Sequence, residues 1–457
     1  MTAKRAFSTS LPQRRAQDVR IVEVGPRDGL QNEKKSIPVA TKIELIRRLA
    51  KTGLNTIEAG SFVSPKWVPQ MANSADILQA ILENEPAAER HMKYQWLLPN
   101  MKGFGNYLAA YNPSGKAAAP PHQRFDDGPS LNTSALDANS MPSADTADEA
   151  MSKGSRGAAS QAQYDAGPAL NTSSQDANAM PSSTSGVNAM SGKGAASGSI
   201  SSSSYDQSFD AGPAMNTSSA DANAMPSSTS GVEAMSPDKD NASAGATHEI
   251  SLFMAATESF SQKNTNCSVA ESLERFRDLI TRAQDENHTV RAYISVALGC
   301  PYEGPDVDPH RVAEICTELL EMGADEISVA DTTGMGTPPR TRALLKTLQA
   351  AGVKNEDLAL HFHDTYGQAL VNTLVGLEHG VSVFDSAVGG LGGCPFSPGA
   401  TGNVATEDLV NFFEGLGVRT GVDLQEVSRI GDWISKEVGR ANESRAGRAT
   451  LAKMAST

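Results

Sequence analysis

Short apolar runs alternate with amphipathic stretches along most of this chain. Each run is typical of a buried strand, and each following stretch repeats apolar residues at helical spacing. Eight successive strand and helix pairs favour a closed (β/α)8 TIM barrel over an open doubly wound sheet. The pairs are 20–24 with 42–51, 56–59 with 70–82, 94–98 with 103–110, 249–255 with 270–284, 291–297 with 309–321, 326–330 with 341–350, 358–363 with 369–379, and 382–387 with 406–415.

The alternation is interrupted once, by residues 113–247. This stretch is rich in Ser, Ala, Gly, Asn, Asp, Pro and Met, and residues 165–191 return nearly unchanged at 210–236. A solenoid repeat needs an apolar face for stacking, and these repeats offer only scattered Met, Leu and Val. The composition therefore predicts a disordered, low-complexity insertion rather than a folded repeat unit.

The rest of the chain divides around this insertion. Residues 1–17 carry four basic residues and no acid, the profile of a mitochondrial presequence, although some basic tails are only disordered tails. We expect a mitochondrial matrix protein, with a cytoplasmic location as the alternative. One further amphipathic helix, 424–440, is predicted to pack outside the barrel. The predicted parts are a presequence (1–18), a catalytic barrel (19–112 and 248–440), the insertion (113–247) and a tail (441–457).

Composition excludes several classes of function. The chain has 457 residues, 39% of them apolar, and no apolar run long enough to span a bilayer, so we expect a soluble protein without membrane contact. A net charge of −14 argues against general nucleic-acid binding. Four unevenly spaced cysteines are typical of reduced thiols rather than of a disulfide framework.

The candidate chemistry lies at the carboxyl ends of the predicted strands. Two histidines one residue apart on a strand face the same side, so His361 and His363 can reach one metal ion. Cys394 follows in a glycine-rich loop, where a thiol can lie near solvent. Barrel active sites are built at this end, and the insertion, which joins a helix to a strand, emerges at the opposite end. The other polar residues at these positions are Arg27, Asp28, Glu58, Asp331 and Asn403.

Five stretches resemble the hydroxymethylglutaryl-CoA lyase family. Together they cover nearly all of residues 19–440 outside the insertion. Isopropylmalate and homocitrate synthases share the Arg-Asp pair and the His-x-His pattern, but their first loop usually continues differently. The stretches are VGPRDGLQNE from Val24, SFVSPKWVPQ from Ser61, ALGCPYEG from Ala297, HFHDTYGQAL from His361 and GGLGGCPFSPGATGNVATEDL from Gly389.

The resemblance implies a metal-dependent retro-Claisen cleavage of 3-hydroxy-3-methylglutaryl-CoA to acetyl-CoA and acetoacetate, in leucine degradation and ketone-body formation. It implies that a divalent cation, Mg²⁺ or Mn²⁺, is held by four residues and that Arg27 stabilises the enolate. Cys394 would act in proton transfer, and Glu58 and Asp331 would orient groups around the site. The four implied metal ligands are Asp28, His361, His363 and Asn403.

The resemblance also bears on substrate binding and assembly. Arg27 and Gln31 are expected to contact the substrate, Lys34 and Lys263 match positions close to the CoA moiety, and related proteins are commonly homodimers. Two alternatives remain at this point. The chain could be a lyase or synthase of the same superfamily that acts on another acyl-CoA or oxoacid. It could also be an interaction protein on a retained barrel, which would predict decayed site residues.

Overall fold

Eight parallel strands close into a barrel in the order in which they occur in the chain. The computed structural model describes residues 18–33, 35–112, 245–393 and 402–456. The barrel closes between its first and last strands, where Ile21 pairs with Phe384, so each of these strands has two neighbours. The strands are β1 (Arg20–Glu23), β2 (Thr56–Ser61), β3 (Lys93–Leu97), β4 (Thr247–Ala255), β5 (Thr289–Ser295), β6 (Glu326–Asp331), β7 (Leu358–Phe362) and β8 (Val383–Ser386).

Amphipathic helices surround the strands. The α-helices are α1 (Val39–Leu49), α2 (Ser74–Glu83), α3 (Met101–Tyr111), α4 (Glu258–Thr265), α5 (Val269–Asp285), α6 (Pro309–Glu321), α7 (Pro338–Ala350), α8 (Ala369–Glu378), α9 (Thr406–Gly415), α10 (Leu424–Val438) and α11 (Arg445–Ala455). In α5 the buried residues Leu273, Phe276 and Ile280 recur every three or four positions, and a capping box of Ser268 and Glu271 starts the helix. Within the described ranges, no helix combines the length and apolar character needed to span a membrane.

The predicted (β/α)8 barrel is confirmed, and each of its strand and helix pairs has a counterpart. Two further helices are present, α4 after β4 and α11 where a tail (441–457) was predicted. Among the residues of α11 only Gly447 is buried, so this helix contributes little to the core. Its start is held by Asp408, which accepts hydrogen bonds from Ser444 Oγ and the Ala446 backbone N–H, both at 2.7 Å. The C-terminal part of the chain therefore forms two helices rather than one.

The chain leaves the barrel after α3 and returns at the start of β4. The rings of Tyr111 and His248 lie in contact there, with centroids 5.2 Å apart. Residues 113–244 of the predicted insertion lie outside the described residues, and Thr247 already belongs to β4. The predicted presequence also lies outside them except for Asp18, which pairs with Arg419. Both chain ends of the insertion site lie at the amino-terminal end of the strands.

Candidate active site

The chain turns sharply after β1 and places Arg27 and Asp28 at the carboxyl end of the barrel. A single turn of π-helix carries both residues. The buried carboxylate of Glu23 accepts hydrogen bonds from the backbone N–H groups of Gly25, at 2.8 Å, and Val388, at 2.9 Å. This carboxylate therefore joins the turn after β1 to the loop after β8, the neighbouring strand in the closed barrel.

Four side chains meet beside this turn. Ligand-type atoms of Asp28, His361 and His363 all lie within 4.8 Å of one another. His361 is the penultimate residue of β7 and His363 follows the strand, and their ring centroids are 5.3 Å apart. Asn403 forms a backbone bridge with His363, and its Nδ2 donates to Oδ2 of Asp28 at 2.8 Å. The structure thus brings together all four residues that the sequence analysis expected to hold a metal.

The donor atoms of this cluster suit a divalent cation. Nδ1 of His363 and Oδ1 of Asn403 are buried without a hydrogen-bond partner, which is costly unless another group binds them. Burial lowers the pKa of His363 to about 3, so its imidazole is neutral and offers a lone pair. Burial alone would raise the pKa of Asp28, but the neighbouring guanidinium of Arg27 lowers it. Neutral nitrogen and anionic oxygen donors therefore lie in one place.

The guanidinium of Arg27 is held in a fixed orientation next to the cluster. Its Nε and Nη2 both lie 2.7 Å from Oε2 of Glu58, and its Nη1 lies 2.8 Å from Oδ1 of Asp28. The guanidinium carbon is 5.7 Å from the ring centroid of Tyr293. Because the carboxylates of Glu58 and Asp28 both accept hydrogen bonds from this guanidinium, Arg27 is a rigidly held positive group at the site.

A pocket opens beside these groups. Gln31 contributes to its wall and donates from Nε2 to Oδ1 of Asp28 at 3.0 Å. The pocket combines charged groups with aliphatic and aromatic side chains, as expected for a site that binds a small anionic molecule with an apolar part. The lining residues are Arg27, Asp28, Gln31, Leu97, Phe253, Tyr293, Ser295, Ala330, Thr332, His361 and His363.

Comparison with known proteins identifies the family. The model of the HMGL-like family matches residues 18–113 and 217–434. This chain belongs to the HMGL-like family. Mouse mitochondrial hydroxymethylglutaryl-CoA lyase is 36% identical over 450 residues, which cover 98% of this chain and 95% of the mouse protein. HMGL-like relatives named for the mitochondrion and for the cytoplasm both match.

A bacterial member of the HMGL-like family is equally similar. A Pseudomonas aeruginosa relative named 3-hydroxy-3-isohexenylglutaryl-CoA/hydroxy-methylglutaryl-CoA lyase is 36% identical over 435 residues, 95% of this chain and 98% of that protein. The crystal structure of hydroxymethylglutaryl-CoA lyase from P. aeruginosa has a TM-score of 0.63 to this chain at 35% identity. The superposition covers 96% of this chain and 99% of the bacterial one. The barrel is therefore the shared fold of this HMGL-like group.

Two acids expected to act in this HMGL-like site lie behind the pocket wall. Neither Glu58 nor Asp331 is among the lining residues. Glu58 contacts Arg27, which does line the pocket. Asp331 accepts a hydrogen bond through Oδ2 from the Gly336 backbone N–H at 2.9 Å, and its Oδ1 is buried without a partner. Burial raises the pKa of Asp331 to about 7. The contacts of these acids are thus with Arg27 and with the backbone that follows β6.

The buried carboxylate of Asp385 contacts His361 of this cluster. Sequence analysis did not single out this residue. Oδ2 of Asp385, on β8, is 3.2 Å from Nδ1 of His361 and accepts from Ser328 Oγ at 2.9 Å. Its Oδ1 accepts from Nη2 of the fully buried Arg291 at 2.6 Å. Burial alone would raise the pKa of Asp385, but Arg291 lowers it to about 2. The sequence did offer one sign of a special role for Asp385, because it is an acidic residue within a short buried strand.

The remaining predicted site residues are only partly described. Cys394 and Lys34 lie outside the described residues. Lys263 lies on α4, with Nζ 3.9 Å from the ring centroid of Tyr302, and it is not among the residues that line the pocket. The other three cysteines, Cys267, Cys300 and Cys316, are buried free thiols.

Proposed function

We propose that this chain cleaves 3-hydroxy-3-methylglutaryl-CoA into acetyl-CoA and acetoacetate as a metal-dependent carbon–carbon lyase. One observation carries the proposal: Arg27, Asp28, His361 and His363 line a single pocket at the carboxyl end of a parallel barrel. The mouse and P. aeruginosa relatives, both named as lyases of this thioester, support this substrate.

The reaction sets three chemical requirements. Loss of the proton from the tertiary hydroxyl turns that oxygen into the ketone of acetoacetate. The adjacent carbon–carbon bond breaks, and its electron pair passes into the thioester enolate of acetyl-CoA. A proton delivered to the enolate carbon completes the products. The site must therefore stabilise an alkoxide, stabilise an enolate oxygen and supply a proton to carbon.

Asp28, His361, His363 and Asn403 would hold the cation, for which we propose Mg²⁺ or Mn²⁺. When bound, such an ion acidifies an alcohol and neutralises charge on nearby oxygens. The unpaired Oδ1 of Asn403 and the neutral imidazole of His363 support this assignment. Two nitrogen and two oxygen donors would suit such an ion and would leave coordination positions for substrate oxygens.

Arg27 would stabilise the enolate oxygen. Its guanidinium is planar and always charged, so it can donate to that oxygen while Glu58 and Asp28 keep it in place. This arrangement is preorganised, because the guanidinium of Arg27 need not move when negative charge develops on the substrate. Gln31, which lines the same pocket, would contact the substrate and hold Asp28.

Two further roles rest on the sequence resemblance. Cys394 is proposed to deliver the proton to the enolate carbon. Lys34 and Lys263 are proposed to contact the CoA moiety. Asp331 would hold the backbone between β6 and α7 through its hydrogen bond to Gly336 rather than touch the substrate.

We further propose that the protein works as a homodimer in the mitochondrial matrix. The basic, acid-free residues 1–17 and the mouse mitochondrial relative support this location, and a cytoplasmic location is the alternative. Its place in metabolism would be leucine degradation and ketone-body formation.

A second candidate is the cleavage of a related acyl-CoA with a longer branch on the hydroxyl carbon. The P. aeruginosa relative, which is named for an isohexenyl substrate, favours this candidate. The apolar lining residues Leu97, Phe253 and Ala330 could contact such a branch. The discriminating quantity is kcat/KM for each of the two thioesters on the same purified protein.

The purified full chain should be assayed for acetoacetate release with Mg²⁺, with Mn²⁺ and with EDTA. We expect activity with either cation and its loss in EDTA. Absence of acetoacetate with both cations would refute the proposed reaction, and full activity in EDTA would refute the metal requirement.

A further inference from the structure

We propose that Asp385 is a positioning residue that sets the tautomer of His361 and so presents Nε2 of this imidazole to the cation site. The inference rests on the metal site proposed above. It concerns a residue that is not among those lining the pocket.

The tautomer follows from the hydrogen-bonding capacity of the two groups. An ionised carboxylate can only accept, so Nδ1 of His361 must donate its proton across the 3.2 Å contact with Asp385 Oδ2. Nε2 then carries a lone pair, which is the form that can bind a cation. The contact is buried on both sides, so water does not compete for it.

Asp385 is itself held from two directions. Arg291 donates to Oδ1 at 2.6 Å and Ser328 donates to Oδ2 at 2.9 Å. Arg291 also pairs with Glu326, Nε to Oε1 at 2.8 Å, and Arg20 contacts Glu326 in turn. These contacts form a line of charged groups through the barrel interior, which ends at His361 on the side of the proposed metal site. The carboxylate therefore has one orientation available.

The Asp385→Asn variant tests the tautomer directly. Arg291 needs an acceptor, so the new amide must direct its oxygen to Arg291 and its NH₂ group to His361. Nδ1 of His361 then has to accept, and the proton moves to Nε2, where it blocks the lone pair. We expect the dissociation constant for Mn²⁺ to rise about 10- to 100-fold, the usual effect of losing the hydrogen-bond partner of a ligating histidine.

The matched control is Glu326→Gln. This variant removes the other carboxylate that pairs with Arg291 and disturbs the same buried charge line, but it leaves the contact between Asp385 and His361 in place. We expect a loss of thermal stability comparable to that of the first variant, with Mn²⁺ affinity within about twofold of the wild type.

The experiment measures Mn²⁺ binding by electron paramagnetic resonance on the folded full chain and both variants. In parallel, long-range ¹H–¹⁵N spectra of the metal-free wild type report the histidine tautomers, with His361→Gln to assign the signal. We expect an Nδ1–H tautomer for His361 in the wild type. This spectrum decides the question even if Asp385→Asn fails to fold.

Three results would overturn the inference. They are an Nε2–H tautomer in the metal-free wild type, wild-type Mn²⁺ affinity in folded Asp385→Asn, or equal weakening of Mn²⁺ binding by Glu326→Gln. A wild type that binds no Mn²⁺ would instead refute the proposed metal site on which the inference rests. The wild-type titration therefore separates the two failures.

Discussion

Asn403 donates a hydrogen bond from its side-chain amide to Oδ2 of Asp28 at 2.8 Å, although the two residues are 375 positions apart in the chain. They meet because β1 pairs with β8 and closes the barrel. The bond uses Nδ2 and leaves Oδ1 of Asn403 buried and unpaired beside the histidines. The same amide therefore orients one proposed ligand and offers another.

Replacing Asn403 with Ala should weaken Mn²⁺ binding by about tenfold or more, because the variant loses one proposed ligand and the hydrogen bond to Oδ2 of Asp28. Binding is measured by paramagnetic resonance at constant pH. The matched control is Asn372→Ala, since Asn372 is equally buried but bonds to the Gly336 carbonyl and Thr341. That control should lose stability and keep its Mn²⁺ affinity. Unchanged affinity in Asn403→Ala would remove this residue from the ligand set.

Replacing Arg27 with Lys should lower kcat by about 100-fold or more, with only a modest change in KM. A lysine keeps the charge but lacks the planar fork that reaches Glu58 and Asp28 together. Steady-state kinetics with saturating Mg²⁺ measure the effect. Arg48→Lys is the control, because Arg48 also pairs with a carboxylate, that of Glu44, and stacks on a ring, that of Trp433, on the outer surface. Near-native kcat in Arg27→Lys would contradict the role assigned to Arg27.

Glu407 should make the stability of the protein fall as pH rises. Burial, together with nearby Glu23, raises the pKa of Glu407 from 4.5 to about 8. Between these values the folded state keeps a proton that the unfolded state has released. The stabilisation is therefore complete below about pH 4.5 and is lost as pH rises through about 8.

The Glu407→Gln variant removes this titration while retaining an acceptor for the Gly389 backbone N–H. The free energy of unfolding of the wild type should fall, relative to the variant, by about 1.4 kcal/mol per pH unit between about pH 5 and 8. Urea unfolding across this range provides the measurement. Glu414→Gln, an exposed change on the same helix, should leave the slope as in the wild type. Parallel pH profiles for wild type and Glu407→Gln would disprove the assignment.

Replacing residues 114–245 with a short Gly/Ser linker should leave kcat/KM within about threefold of the full chain. The contact between Tyr111 and His248 shows that a short connection suffices, and it lies at the opposite end of the strands from the site. Loop entropy changes only logarithmically with length, so the gain in stability should not exceed about 2 kcal/mol. A full-length chain with a shuffled insertion separates length from sequence. Lost activity in the deletion, or a protease-resistant fragment from the insertion, would show that it has a function.

Sequence periodicity located the strands because each is a short apolar run in a parallel sheet that is buried on both sides. The one-residue spacing of His361 and His363 was equally informative, since alternation along a strand determines the face. Asp385 could not be placed in this way. Its partners, Arg291, Ser328 and His361, come from three different strands, so their meeting depends on how the strands register across the barrel interior.

Helix α11 escaped detection for a different reason. Its start is attached to Asp408 by hydrogen bonds from Ser444 and the following backbone, and the pattern of apolar residues does not report such bonds. Pocket residues such as Tyr293 were missed because an inward-facing aromatic residue on a barrel strand looks like an ordinary core residue until the cavity is known.

The contact between Tyr111 and His248 also bears on whether the barrel needs a continuous polypeptide chain. The first three strands are held to the remaining five along two seams, β1 to β8 and β3 to β4, and both seams are made of backbone hydrogen bonds. Neither seam needs the covalent link between α3 and β4. A cut in that link would leave a two-chain enzyme whose halves carry Arg27 and Asp28 on one polypeptide and His361, His363 and Asn403 on the other.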